Sequence, residues 1–232
     1  GILEKIGVLY TGPGQKASSL AMDKLVSRKF FQKAGLCIPK YRHIQKKDDR
    51  SLWQLMVKDL NYPLVVKPSD QGSSIGISFI DSDIKLAPAL DEAFKYGGVS
   101  IVEEFISGRE ITVSVFDKKA LPVVEIIPKN KFFDFEAKYQ KGLTEYVVPA
   151  QLDDAIVHRV QSDAVLAYEA LGCRHLSRVD MIIDKSGTPY CLEVNTVPGM
   201  TATSLFPKAA AAAGISFSQL CTRILELACE GN

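Results

Sequence analysis

The sequence lacks any apolar run near the roughly 20 residues that a helix needs to cross a bilayer. It also lacks an excess of either charge: 28 Lys and Arg stand against 27 Asp and Glu, leaving +1 over 232 residues. A nucleic-acid or anionic-membrane partner calls for a basic stripe, and none is found. Histidine is scarce; His43, His158 and His175 are scattered among polar neighbours, where surface or supporting roles outnumber catalytic ones. The five cysteines (Cys37, Cys173, Cys191, Cys221, Cys229) form no Cys-x-x-Cys. An odd number at that spacing predicts reduced thiols in a cytoplasmic protein, not a disulfide framework or a zinc site. Gly1-Ile2-Leu3-Glu4-Lys5 has no signal-peptide pattern.

What remains is an ordinary globular composition, 47% hydrophobic and 24% charged, in a chain long enough for a sizeable core. The patterning predicts helices over 18–35 (opened by Ser18 or Ser19, closed by Gly35), 51–60, 83–96, 152–171 and 216–229. Strands are predicted at 64–67, 77–80, 99–105, 110–116 and 120–127, and a hairpin pairs 179–183 with 190–194. Residues 128–150 are aromatic and charged without a clean period, which reads as a long functional loop. Mixed helices and hairpins predict an α+β fold, with a boundary near Ser107-Gly108.

The hairpin carries the clearest chemistry. Residues two apart on a strand share a face, so Arg178 and Asp180 point one way, as do Glu193 and Asn195 on the partner. With Ile183 opposite Tyr190, Asp180 falls opposite Glu193. Two facing carboxylates repel unless a proton or cation lies between them. Two carboxylates and an amide oxygen suit Mg²⁺; a hairpin with its charges in water is the alternative. A second feature is the loop Lys67-Pro-Ser-Asp-Gln-Gly-Ser-Ser-Ile-Gly76 between two strands, with glycines, hydroxyls and a lysine that can surround phosphate. It is no Walker A loop, and taken alone it reads first as a surface hairpin loop. Gly12-x-Gly14-x-x-Ala17 matches the dinucleotide fingerprint, but Gln32-Lys33 stand where ribose recognition needs an acid, so an oxidoreductase is set aside.

Taken together, Tyr10-Thr11-Gly12-x-Gly14, Met22-Asp23-Lys24, Val66-Lys67-Pro68, Gly72-Ser73-Ser74-x-Gly76, Glu136-Ala137-Lys138-Tyr139, Arg178-x-Asp180 and Glu193-x-Asn195-Thr196-x-Pro198-Gly199-Met200-Thr201 resemble the D-alanine–D-alanine ligases. The resemblance runs from Gly7 to the C-terminus. It implies an ATP-grasp fold, two α+β lobes with ATP between them: residues 1–19 a connection from an N-terminal domain missing here, 20–108 a central lobe, 109–232 a C-terminal catalytic lobe. It implies Lys24, Lys67, Lys138, Ser73 and Ser74 at the phosphates. Glu103, Glu104, Phe105, Ile106 and Leu192 would lie around adenine, and Glu110 at the ribose. Glu104 departs from the lysine that the family often carries. The resemblance further implies Mg²⁺ (or Mn²⁺) on Asp180, Glu193 and Asn195, Arg178 and Gly199 at the oxyanion, and Ser204 at the second D-alanine's carboxylate. Ser73, Lys138 and Tyr139 would belong to a lid that keeps water from an acyl phosphate. The implied activity is ATP-dependent joining of two D-alanines for peptidoglycan precursors, by a cytoplasmic enzyme, as a homodimer, with no nucleic-acid or membrane partner. Without the N-terminal domain, ATP binding is expected to survive better than ligation. The alternatives are a nucleotide-binding module without ligase activity, or another ATP-grasp carboxylate–amine ligase.

Overall fold

A computed structural model describes residues 1–72, 75–128 and 144–230. Two antiparallel sheets follow one another along the chain. The first has four strands, β1 (Tyr41–Gln45), β2 (Leu64–Pro68), β3 (Ser78–Ile80) and β4 (Val99–Glu104), in the order β1-β4-β2-β3. Its helices are α4 (Trp53–Val57) and α5 (Leu86–Ala93). Strand alternation sends Leu64, Val66 and Val102 into a core with Trp53, Val57, Leu86 and Leu90. The same alternation turns Val65, Lys67, Ile101 and Glu103 to the opposite face, with Val65 opposite Glu103 and Lys67 opposite Ile101.

The second sheet holds β5 (Gly108–Phe116), β6 (Lys119–Ala120), β7 (Val124–Pro128), β8 (Thr144–Val147), β9 (Leu176–Asp184) and β10 (Pro189–Asn195), ordered β10-β9-β5-β7-β8 with β6 on β5. Ile111, Val113, Val179, Met181 and Val194 face a core closed by α6 (Asp154–Ala170) and by Phe31 of α3 (Lys24–Lys33). Phe116, Leu121 and Leu176 enter a separate core with α7 (Leu205–Ala212) and α8 (Phe217–Cys229). Glu110, Thr112, Arg178 and Asp180 lie on the face of β5 and β9 opposite Ile111 and Val179, as the two-residue period requires. Although α2 (Gln15–Met22) and α3 precede the small sheet in sequence, Ala17, Ala21 and Phe31 pack with the large one.

Several sequence expectations change. The helix predicted over 18–35 is two helices, because the Asp23 side chain accepts from the Leu25 and Val26 amides and starts a new one. Ser18 and Ser19 consequently lie inside α2. The strand predicted over 120–127 divides, since β6 ends at Ala120 and β7 begins at Val124. Within the long loop predicted over 128–150, Thr144–Val147 forms β8 on β7; residues 129–143 lie outside the described residues. The hairpin register is as expected at Asp180 and Glu193 but one residue off at the turn, where Tyr190 faces Ile182. A bulge at Leu192 absorbs the difference.

Gly108 opens β5 where the chain leaves the small sheet. A Cβ there would lie 1.9 Å from the Ile183 carbonyl oxygen, an immovable backbone atom in the paired strand. Gly108→Ala is therefore expected to cost about 2–3 kcal/mol or more of stability, read as a lowered midpoint in urea. An unchanged midpoint would show that β5 and β9 separate readily at this end.

Candidate active site

The polar faces of the two sheets supply the site. On β2 and β4, Lys67 and Glu103 are diagonal neighbours, a separation a lysine side chain spans. Lys67 Nζ donates to Glu103 Oε1 at 2.7 Å, and Arg28 Nη2 from α3 donates to Glu103 Oε2. Arg28 also stacks on the Tyr41 ring, its Cζ 4.7 Å from the centroid. All three charged groups are buried: Arg28 is 0%, Glu103 4% and Lys67 7% exposed. Burial alone would raise the Glu103 carboxyl, but Arg28 and Lys67 outweigh it and hold it at about 2. Burial pushes the Lys67 ammonium down, with Glu103 opposing and Arg28 adding to the push.

On the large sheet, Asp180 is met by four donors. Arg178 forks onto both oxygens at 2.9 Å, Thr112 Oγ1 donates at 2.6 Å and Asn195 Nδ2 at 2.9 Å. These donors fill the roughly four acceptor positions of a carboxylate. Glu193 lies opposite Asp180 across the hairpin. Lys24, at the start of α3, joins the two sheets: its Nζ is 3.3 Å from Glu193 Oε2 and donates to the Gln71 carbonyl at 2.5 Å. A short way on, the Ser204 hydroxyl accepts from the Thr201 amide at 3.1 Å, and a Cβ on Gly199 would fall 2.7 Å from it. Gly199 thus lets its backbone approach Ser204 closely.

The structure brings Arg178 and Asn195 onto Asp180, sets Glu193 opposite Asp180 and within 3.3 Å of Lys24, pairs Lys67 with Glu103 on the small sheet, and places Gly199 beside Ser204. It assigns some of them partners that the sequence did not suggest. The Glu103 carboxylate is taken up by Arg28 and Lys67, and its backbone lies in the central strand β4, opposite Tyr41 of β1 and Val65 of β2. The Glu104 side chain turns to the Asn61 backbone and side-chain nitrogens, both at 2.9 Å. Phe105 donates its amide to Pro63 and packs edge-on against Phe79. Ile106 lies at the crossing between the sheets, Glu110 faces Ile126 and Ile182, and Leu192 is the bulge residue. Ser73, Ser74, Lys138 and Tyr139 lie outside the described residues.

Two residues escaped the sequence reading. Arg28 stands in a helical stretch where nothing in the pattern sets it apart from a solvated arginine. Thr112 could have been found from the alternation Glu110-Ile-Thr-Val-Ser-Val. His175, read from the sequence as a surface or supporting residue, is buried at φ 62 and supports the chain at Gly12, whose amide its Nδ1 accepts at 3.1 Å. Only a neutral imidazole can accept there. Burial lowers the His175 imidazole below its ordinary 6.5, with Arg174 adding to that effect. An imidazole lowered by folding contributes stability that is complete above 6.5 and is lost as pH falls toward its folded value. His175→Asn, which tolerates the left-handed backbone, is expected to flatten the loss of thermal stability on acidification below about 6.5. An identical slope in wild type and variant would remove His175 from that role.

Asp180, Glu193 and Asn195 bring oxygen donors suited to a hard divalent cation. Glu193 already faces the Lys24 ammonium, and turning the Asn195 amide would withdraw one donor from Asp180 while presenting an oxygen. The residues therefore fit Mg²⁺.

A D-alanine–D-alanine ligase from Bacillus anthracis, solved in complex with ATP, superposes with a TM-score of 0.85 at 36% identity, over 99% of this chain and 74% of that one. The VanG D-Ala:D-Ser ligase of Enterococcus faecalis gives 0.89 at 34% identity, over 98% of this chain and 67% of its own. The fold and the two-sheet site therefore define an ATP-grasp protein. A family profile described as "D-ala D-ala ligase C-terminus" matches residues 30–226. The D-alanine–D-alanine ligase of Anaeromyxobacter sp. (strain K) is 45% identical over 228 residues, 97% of this chain and 73% of that protein. That of Pelotomaculum thermopropionicum is 42% identical over 238 residues, 99% of this chain and 75% of its own length. The chain belongs to the D-alanine–D-alanine ligase family.

Proposed function

We propose that this chain carries the nucleotide-binding and catalytic machinery for ATP-dependent joining of two D-alanines, a step in making peptidoglycan precursors. The observation that carries the reading is Lys24: its ammonium lies 3.3 Å from Glu193, which faces Asp180 across the hairpin, and it donates to the Gln71 carbonyl in the loop that follows Lys67. The two lysines oppose the charge of the ATP phosphates. The backbone of 103–106 and the Leu192 side chain bound the adenine, and Glu110 takes the ribose. Magnesium, when bound by Asp180, Glu193 and Asn195, supplies positive charge to the terminal phosphates.

The chain's own groups then act on the amino acids. A D-alanine carboxylate is activated as an acyl phosphate, and the amine of the second D-alanine displaces phosphate. Arg178 and the Gly199 N–H donate to the oxyanion that develops on the acyl carbon. Arg178 is held for this by its fork onto Asp180. Ser204, beside Gly199, receives the second substrate's carboxylate. Ser73, Lys138 and Tyr139 are assigned to the lid that excludes water.

Affinity for ATP against affinity for adenosine tests the phosphate assignment. Lys67→Ala removes one charge-assisted hydrogen bond, so it is expected to weaken ATP by about tenfold or more and to leave adenosine nearly unchanged. Equal weakening of both would place Lys67 outside the phosphate site.

A further inference from the structure

Two cations share one carboxylate in the wall of the site. Arg28 and Lys67 each hold one oxygen of Glu103, so the buried trio carries one positive charge in excess. Arg28 is wholly buried, and its Nε and Nη1 have no hydrogen-bond partner among the described residues. A buried cation that shares its counter-ion and leaves two donors unsatisfied is costly to the fold. A one-to-one pair of Lys67 with Glu103 would cost less, as would an apolar residue at position 28 packed on Tyr41. The arrangement is accounted for if the surplus charge has a use in the site.

We propose that Arg28 is a positioning residue for nucleotide binding: by occupying Glu103 Oε2 it keeps Glu103 from neutralising Lys67, so that the Lys67 ammonium is presented with surplus charge to the phosphates. Arg28 reaches the nucleotide only through Glu103 and Lys67. Its guanidinium is fixed by the stack on Tyr41 and by its place four residues after Lys24 on α3, the same helix face. One helix thus carries both the lysine that meets Glu193 and the arginine that sets the charge of the opposite wall. This inference rests on the reading of the site as an ATP site.

The ratio of ATP to adenosine affinity, measured by calorimetry on wild type, Arg28→Gln, Arg28→Lys and Lys67→Ala, separates the two ideas. Arg28→Gln is expected to lower the ratio about tenfold, through ATP alone. Arg28→Lys, which keeps the charge, is expected to stay within about threefold of wild type. If Arg28→Gln weakens ATP and adenosine alike, Arg28 is merely structural and the inference is overturned. If Lys67→Ala lowers the ratio while Arg28→Gln leaves it unchanged, the inference fails and the ATP site stands. If Lys67→Ala itself leaves the ratio unchanged, the reading of the site is what has failed. Should Arg28→Gln not fold, Arg28→Lys decides: a retained ratio supports the charge role, and a fall like that of Lys67→Ala overturns it.

Discussion

Glu193→Gln is expected to lower metal-dependent ATP turnover by at least about a hundredfold, the several kcal/mol that a correctly held cation contributes to phosphoryl transfer. Glutamine keeps the size and one oxygen of the side chain but removes the charge. The hairpin itself should persist, because Val194 and Cys191 on either side of Glu193 are buried in the core of the large sheet. The Lys24 ammonium would lose its 3.3 Å partner and keep its bond to the Gln71 carbonyl. The variant should therefore fold, as circular dichroism and thermal unfolding would report, and raising the magnesium concentration should recover only part of the rate. Turnover within a fewfold of wild type would remove Glu193 from the metal site.

The second large effect is expected at Arg178. Its fork onto Asp180, with Nε and one terminal nitrogen each at 2.9 Å, fixes the guanidinium on the hairpin, and the proposed role is donation to the developing oxyanion. Removing one such donor costs about 10²–10³ in turnover in comparable sites. Arg178→Met should show a loss of that size in kcat, with ATP affinity changed much less. Arg178→Lys keeps the charge but cannot hold Asp180 with two parallel bonds, so it should fall between the two. Lost ATP affinity with unchanged kcat would instead assign Arg178 to the nucleotide.

The hairpin was legible in the sequence because a period of two fixes which side chains share a face, and Arg178, Asp180, Glu193 and Asn195 obey it. The bulge at Leu192 was not legible, since nothing in Tyr190-Cys-Leu-Glu marks where an extra residue is accommodated. Its consequence was small, because the sequence register erred only at the turn. The Lys67–Glu103 contact was out of reach for a different reason. It depends on β4 lying beside β2 rather than at an edge, a long-range choice that local pattern does not encode. Arg28 was hidden by its setting: an arginine in Leu-Val-Ser-Arg-Lys-Phe-Phe looks solvated until α3 is seen wedged between the two sheets. Asp23 is the converse. Its capping chemistry could have been read, but the apolar period continues through it and suggested one helix. The fold class was legible because hairpin signals and helical stretches alternate without the regular βαβ rhythm of a doubly wound sheet.

The most direct test of the central claim is a calorimetric titration of ATP into the protein, with and without Mg²⁺, for wild type and Glu193→Gln. An ATP site with Lys24 and Lys67 at the phosphates and Asp180 and Glu193 at the metal requires saturable one-to-one binding that magnesium strengthens and that loses this strengthening in the variant. Binding of equal strength with and without magnesium, in both proteins, would contradict it.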